Sequence, residues 1–124
     1  MRHSRIAAAM FLSVLAAQAA AGSPPPSIQN GLLADSAGKT LYVFDKDQAG
    51  AGRSVCNDAC ADLWPPLLAD KEDQPKGELG LAIRDDGTPQ WTWRGKPLYR
   101  YAHDSAPGEQ KGENFKQLWH TIKP

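Results

Sequence analysis

The same ten-residue pattern occurs twice in this chain, at residues 38–47 and 95–104. The copies read GKTLYVFDKD and GKPLYRYAHD, so every matched position is displaced by 57 residues. Five positions are identical, and a sixth pairs Phe44 with Tyr101. Agreement of this extent indicates a duplicated module.

A tryptophan follows each copy of the pattern, Trp64 after the first and Trp119 after the second. The duplication therefore extends beyond the ten matched residues. We predict one folded domain over residues 31–124, made of two related repeats at about 31–68 and 79–124.

The N-terminal residues 1–21 have the composition of a secretory signal peptide. Two arginines precede an apolar run at residues 6–17, and small residues with cleavage positions after Ala19 and Ala21 follow it. The apolar run is shorter than the roughly 20 residues that cross a bilayer, which argues against a membrane anchor. We predict an exported protein with no membrane span once the signal is removed.

A lipid anchor would need a cysteine at the cleavage point, but the two cysteines of the chain are Cys56 and Cys60. The predicted location is therefore the periplasm or the extracellular medium, without a lipid tether. Residues 22–30 contain three consecutive prolines and are predicted to form a stiff Pro-rich lead to the domain.

The charge balance argues against a nucleic-acid partner. The chain has 14 basic and 14 acidic residues, and removal of the signal takes away two of the basic ones. Phosphate backbones are bound by basic stripes, and the sequence contains none. We expect no nucleic-acid partner.

Short apolar runs separated by turn residues predict a mainly β fold. The candidate strands, about six in number, lie at residues 32–35, 39–44, 79–84, 90–94, 97–102 and 115–122. The first two flank a glycine turn at 36–38 and predict a hairpin, and the next three predict an antiparallel meander. At most one short helix is expected, near Cys56.

Aromatic residues stand two apart in both repeats, Tyr42 with Phe44 and Tyr99 with Tyr101. Residues at this spacing point to the same face of a strand. The rings are therefore predicted to pack the two repeats against each other, since a small domain needs bulky side chains. The alternative is an exposed aromatic platform for sugars or flat ligands.

Asp47 and Asp104 end the two copies of the pattern, where each strand should stop. A carboxylate there can accept backbone N–H groups of the following loop. We favour this structural role over a calcium site at Asp45 and Asp47, because calcium takes six to eight oxygen ligands.

Cys56 and Cys60 are predicted to form a disulfide, since the cysteine count is even and exported proteins are oxidised. The short spacing suits a turn that leads into a short helix better than a continuous helix. In the alternative reading both cysteines are reduced and bind zinc or copper together with His103 and His120.

The sequence contains few candidates for catalysis. It lacks a nucleophile elbow, a metal-binding helix motif and a phosphate-binding glycine loop. We predict that the protein is not an enzyme and needs no cofactor.

Taken together, the motifs resemble a bacterial secreted-repeat or predicted lipoprotein family. The resemblance covers residues 31–124 and rests on the duplicated Tyr-x-[Phe/Trp/Tyr]-x-x-Asp pattern, on Cys-x-x-x-Cys followed by Trp64-Pro65-Pro66, and on the segments 84–87 and 95–99. Many members of the family look like lipoproteins, whereas this sequence has no cysteine at the predicted cleavage point.

The resemblance implies an exported β-rich domain of two repeats with no established catalytic activity. We expect Pro65 and Pro66 at a loop or sheet edge and Trp64 turned inward. The expected function is a non-catalytic cell-envelope module that binds a protein partner or a small ligand. The alternative is a metal- or redox-linked periplasmic accessory protein that uses Cys56 and Cys60 with His103 or His120.

Overall fold

A computed structural model describes residues 22–124, so the predicted signal peptide lies outside the described residues. Seven short strands form three antiparallel sheets, with the orders β1-β2, β3-β7 and β4-β5-β6. The strands are β1 Ser27–Gln29, β2 Leu32–Ala34, β3 Tyr42–Phe44, β4 Leu79–Ile83, β5 Pro89–Trp93, β6 Lys96–Pro97 and β7 Trp119–Thr121. One short helix, α1, spans Ala59–Leu63. The predicted mainly antiparallel β class with one short helix near the cysteines is therefore confirmed.

Two tight turns have the same backbone geometry. Asn30 and Gly31 connect β1 to β2 with φ values of 51° and 80°, and Arg94 and Gly95 connect β5 to β6 with φ values of 49° and 83°. Two-residue hairpin turns with both residues at positive φ match the right-handed twist of the strands, and Asn-Gly is their preferred sequence. Asn30-Gly31 is thus a hairpin signal in the sequence, although residues 27–29 are not among the predicted strands.

The N-terminal hairpin differs from the prediction. β2 pairs with β1, and the predicted hairpin around residues 36–38 is reduced to a single bridge between Ala34 and Thr40. The reason is local: the Asp35 carboxylate accepts two N–H groups of the following loop and ends the strand.

The Pro-rich lead is packed on the domain. The backbone N–H of Ser23 donates to the carbonyl of Leu68 at 2.7 Å, and the carbonyl of Ser23 accepts the indole N–H of Trp91 at 3.0 Å. Residues 27–29 form β1 itself. The folded domain therefore includes residues ahead of residue 31.

The two repeats interlock in the middle of the molecule. β3 of the first repeat pairs with β7 of the second. Tyr42 and Tyr99, the equivalent tyrosines of the two copies, exchange both backbone hydrogen bonds at 2.8 and 2.9 Å. The pattern that identified the duplication therefore lies where the repeats meet.

Alternation along β3 separates two cores. The aliphatic core contains Leu33, Leu41, Val43, Leu67, Ala69, Trp91 and Leu98. The aromatic core contains Tyr42, Phe44, Cys56, Trp64, Tyr99 and Trp119. Val43 faces the first and its two neighbours face the second, as the two-residue period of a strand requires.

Two predicted strands are shorter than expected. β6 covers only Lys96–Pro97, after which Tyr99 forms isolated bridges. The predicted strand at 115–122 is a 3-10 turn, Phe115–Gln117, followed by β7. Positive φ values at Lys116 and Gln117, 51° and 59°, exclude an extended strand there. No helix in residues 22–124 has the length and hydrophobicity of a membrane span.

Candidate functional site

The repeated tyrosines and aspartates form crossed hydrogen bonds between the two repeats. The hydroxyl of Tyr42 donates to Oδ2 of Asp104 at 2.6 Å, and the hydroxyl of Tyr99 donates to Oδ2 of Asp47 at 2.5 Å. All four side chains are buried. Each tyrosine thus uses the aspartate of the other copy, a pairing that the sequence analysis missed.

The second oxygen of each aspartate binds the loop that follows it. Oδ1 of Asp47 accepts the N–H of Val55 at 2.8 Å, and Oδ1 of Asp104 accepts the N–H of Lys111 at 2.9 Å. This is the loop-supporting role that the strand-end position suggested. Each carboxylate therefore joins its own loop to the tyrosine of the other repeat.

Burial is the largest cause of the pKa shifts of Tyr42, Tyr99 and Asp47 in this network. Burial, reinforced by the hydrogen bond to Asp47, raises the pKa of Tyr99. Burial and the hydrogen bond to Asp104 likewise raise the pKa of Tyr42. Burial also raises the pKa of Asp47, against the opposing effect of its hydrogen bonds. Both tyrosines consequently stay protonated as donors at neutral pH.

The aromatic rings pack in the interior. The rings of Trp64 and Trp119 stack at 3.8 Å, and Phe44 stacks on Trp119 at 4.2 Å. Tyr101 covers the other side of Trp64 at 4.3 Å. Only 2% of Trp64 is exposed, so these rings do not form the alternative open platform.

The two prolines after Trp64 lie beside the second copy of the pattern. The carbonyl of Pro65 accepts the N–H of Arg100 at 2.7 Å, and Pro66 forms an isolated bridge with Tyr99. Neither proline lies within one of the seven strands. This position suits residues that have no N–H to donate.

The disulfide is confirmed, with an S–S distance of 2.01 Å between Cys56 and Cys60. Arg84 anchors its loop from the interior, donating to the carbonyl of Cys56 at 2.7 Å and to Oε1 of Gln90 at 2.8 Å. The Asn57-Asp58 turn precedes α1, but the Asp58 side chain makes no capping hydrogen bond.

The metal alternative lacks structural support. Both sulfur atoms are joined to each other, so neither is a thiolate ligand. His103 packs its ring at 5.3 Å from that of Tyr101, and His120 pairs with Asp45. No three His, Cys, Asp or Glu side chains within residues 22–124 are arranged to hold a metal ion.

An open cleft of about 380 Å³ lies beside the tip of the β5-β6 turn. We call it the Trp93 cleft; its lining residues are Val43, Asp45, Trp93, Arg94, Lys96, His120, Thr121 and Ile122. Elements of both repeats contribute, because β3 and β7 provide one wall and the turn provides the other. Of the candidate ligand residues weighed from the sequence, His120 and Asp45 lie here.

Charged groups around the cleft are already partly paired. Nε2 of His120 lies 2.8 Å from Oδ2 of Asp45, and Nδ1 lies 3.8 Å from a Glu113 oxygen. Nε of Arg94 donates to Glu78 at 2.8 Å, while its guanidinium lies 5.4 Å from the centre of the Trp93 ring. From the sequence, residues 95–96 begin the second copy of the repeated pattern and separate two predicted strands, with no sign that a cleft adjoins them.

A larger cleft of about 410 Å³ shares Arg94 with the Trp93 cleft. Five of its lining residues are glycines, at positions 50, 52, 77, 80 and 95. Its polar side chains are those of Glu78, Thr92 and Arg94, and Glu78 and Arg94 are paired with each other.

These features define a small β domain whose two repeats are locked together by crossed tyrosine–aspartate hydrogen bonds and an aromatic core. A family described as a secreted repeat of unknown function matches residues 29–68 and 80–123, and the chain belongs to this family. The two matched segments agree with the two repeats and confirm the resemblance found from the motifs. Neither the curated proteins nor the solved structures contain a significant match to the chain.

Proposed function

We propose that the protein is an exported, non-catalytic binding module of the cell envelope and that it binds a small ligand in the Trp93 cleft. Its family is described as secreted, and disulfides such as Cys56–Cys60 persist in oxidising compartments outside the cytoplasm. Both observations support export.

One observation carries the binding proposal: the Trp93 cleft places a half-buried tryptophan beside apolar and charged side chains. Its volume of about 380 Å³ falls within the range of small-molecule sites. The other three tryptophans, Trp64, Trp91 and Trp119, are at most 3% exposed. Trp93 is therefore the tryptophan that a ligand can reach.

The position of the perturbed groups favours binding over catalysis. Active sites concentrate titratable groups whose pKa values are shifted by burial. Here the buried groups with raised pKa values, Tyr42, Tyr99 and Asp47, hold the repeats together inside the domain. These three residues stabilise the fold, and they do not line the Trp93 cleft.

Indole N–H signals of ¹⁵N-labelled protein test the binding proposal, because the chain has only four tryptophans. The probes are benzoate, benzamide, benzylamine and the aliphatic acid hexanoate. We expect at least one probe to move the Trp93 signal in a saturable manner, with the Trp64 and Trp119 signals unchanged. Trp93→Ala should abolish saturable binding in a parallel calorimetric titration.

Ile83→Ala is the matched control. Ile83 is 56% exposed and pairs with Pro89, at the end of the β4-β5 pair opposite Trp93. This variant should bind as the unmodified protein does. Failure of all four probes to move the Trp93 signal, or binding that survives Trp93→Ala, would contradict the proposed site.

Export is tested separately by the intact mass of protein purified from an exporting host and denatured with a thiol-alkylating reagent without reductant. We expect a chain that starts at residue 20 or 22 and carries no alkyl group. Alkylation of both Cys56 and Cys60 would contradict an oxidised, exported protein.

A further inference from the structure

We infer that the ligand of the Trp93 cleft is a small organic carboxylate with an apolar body, and that Arg94 and Lys96 bind its carboxylate. This inference rests on the proposed function and adds the chemical class of the ligand. Four features of the turn between β5 and β6 support it.

The first feature is the position of the Arg94 guanidinium, whose side chain is 61% exposed. Its Nε donates to Glu78 at 2.8 Å, and its backbone N–H donates to the Glu78 carbonyl at 2.8 Å. The guanidinium also lies over the Trp93 ring, 5.4 Å from the ring centre. Both terminal nitrogens have no hydrogen-bond partner in the part of the chain that the structure describes. Guanidinium groups bind carboxylates through such paired donors.

The second feature is the placement of Lys96. It lies directly opposite Trp93 in the strand register, one residue beyond the turn. Lys96 is exposed and forms no ion pair with a carboxylate of residues 22–124. Arg94 over the indole ring and Lys96 as the cross-strand partner of Trp93 thus place two cationic residues next to the same tryptophan.

The third feature is that nearby carboxylates already have partners. Glu78 binds Arg94 through its Nε, and Asp45 binds His120. The cationic donors that remain at the cleft are the Arg94 terminal nitrogens and the Lys96 ammonium. A ligand that satisfies them carries negative charge, while Val43, Ile122 and the Trp93 ring provide the apolar contact.

The fourth feature is the backbone conformation of Arg94. A φ of 49° is uncommon for a residue with a long side chain, and asparagine or glycine fits such a turn better. The equivalent turn position between β1 and β2 in this chain is Asn30, with a φ of 51°. Residues in sparsely populated backbone conformations cluster at active sites and ligand clamps. Lys116 and Gln117 also have positive φ, in the 3-10 turn, so the conformation of Arg94 counts only together with the placement of its guanidinium beside Trp93. Arginine at this position is explained by the guanidinium that it presents to the cleft.

Arg94→Asn separates binding from folding. Asparagine suits the left-handed conformation, so the variant should be at least as stable as the unmodified protein in a thermal melt. It should nevertheless bind benzoate at least tenfold more weakly, which corresponds to about 1.4 kcal/mol. Lys96→Gln should weaken benzoate binding severalfold. Lys71→Gln, on the exposed segment between the repeats, is the charge control and should leave benzoate affinity unchanged.

Comparison of benzoate with benzamide separates this inference from the proposed function. The two probes share the ring and differ in charge, so we expect benzoate to bind at least tenfold more tightly, and the difference to shrink as salt is added. Equal binding of the two probes at Trp93 would overturn the carboxylate assignment and leave the binding site standing. Unchanged benzoate affinity in Arg94→Asn would also overturn it. Absence of any Trp93 response would refute both proposals.

Discussion

Replacing Tyr99 by phenylalanine removes one hydroxyl from the interior and tests the crossed hydrogen bonds directly. Tyr99 is fully buried, and its hydroxyl lies 2.5 Å from Oδ2 of Asp47 and 2.5 Å from Oγ of Ser54. The ring itself stays in place, so no large cavity forms. What the variant loses is a hydrogen bond to a carboxylate that is only 6% exposed.

The expected cost follows from that geometry. A hydrogen bond to a charged group contributes about 1.5–3 kcal/mol, and Asp47 keeps only the Val55 N–H as a strong donor. We therefore expect Tyr99→Phe to lower the free energy of unfolding by about 2–3 kcal/mol. For a domain of this size the melting temperature should fall by about 10–20 °C.

Urea denaturation followed by tryptophan fluorescence measures this loss, and the slope against urea should stay unchanged. Tyr42→Phe is the matched variant, because Tyr42 occupies the equivalent position and binds Asp104. Its cost should be similar. A loss below about 0.5 kcal/mol in Tyr99→Phe, within the range of ordinary surface substitutions, would refute the reasoning.

Double-mutant cycles test the crossing itself. Tyr99→Phe and Asp47→Asn should be coupled by about 1 kcal/mol or more, since the two side chains share a hydrogen bond. Tyr42→Phe and Asp47→Asn belong to the same copy of the pattern but share no hydrogen bond, so their effects should add to within about 0.5 kcal/mol. The opposite result would place each tyrosine with the aspartate of its own copy.

Three further predictions concern pH, redox state and packing. The pKa values of Tyr42 and Tyr99 are raised from 10.0 in the folded protein, so the unfolded chain loses their protons first as pH rises. The free energy of unfolding should therefore decrease as pH rises above about 10. A Tyr42→Phe/Tyr99→Phe variant, melted across the same pH range, should show a weaker decrease. Reduction of Cys56–Cys60 opens a short loop and should lower the free energy of unfolding by about 2 kcal/mol, as the chain-entropy relation gives for a loop of this length. The loss is measured as a lower urea midpoint in the presence of reductant. An unchanged midpoint would contradict a stabilising disulfide. Trp64→Ala should lower the free energy of unfolding by about 3–5 kcal/mol in the same urea assay, because the ring stacks in the aromatic core. A loss below about 1 kcal/mol would show that the ring is not tightly packed.

The fold class could be predicted from local patterns. Turn residues such as Gly87 punctuate the chain, and short apolar runs between them are typical of strands. Strand ends were less predictable, because residues 115–117 carry the same kinds of side chain as a strand but adopt a 3-10 turn. Phe115 there packs against the aromatic core, and that contact depends on the assembled tertiary structure.

The candidate site could not be predicted to the same degree. In the sequence, Trp93 and Arg94 are the last two residues of a predicted strand at 90–94, and no motif distinguishes them. The cleft exists because β3 and β7 lie beside the β5-β6 turn. Nothing in the local sequence of either segment specifies that neighbour.

By itself, the sequence determined the duplication, the disulfide partners and the direction in which alternate side chains of each strand point. The duplication is visible in the residue identities themselves. The disulfide and the strand faces depend on spacing over a few positions, where chain geometry leaves little freedom. Only the tertiary structure decided that Tyr42 binds Asp104, 62 residues away, and that Tyr99 binds Asp47, 52 residues away. A duplicated pattern is compatible with pairing inside each copy or between copies. Packing of the two repeats around the aromatic core brings the tyrosine of one beside the aspartate of the other. The pairing therefore depends on contacts across the whole assembled domain.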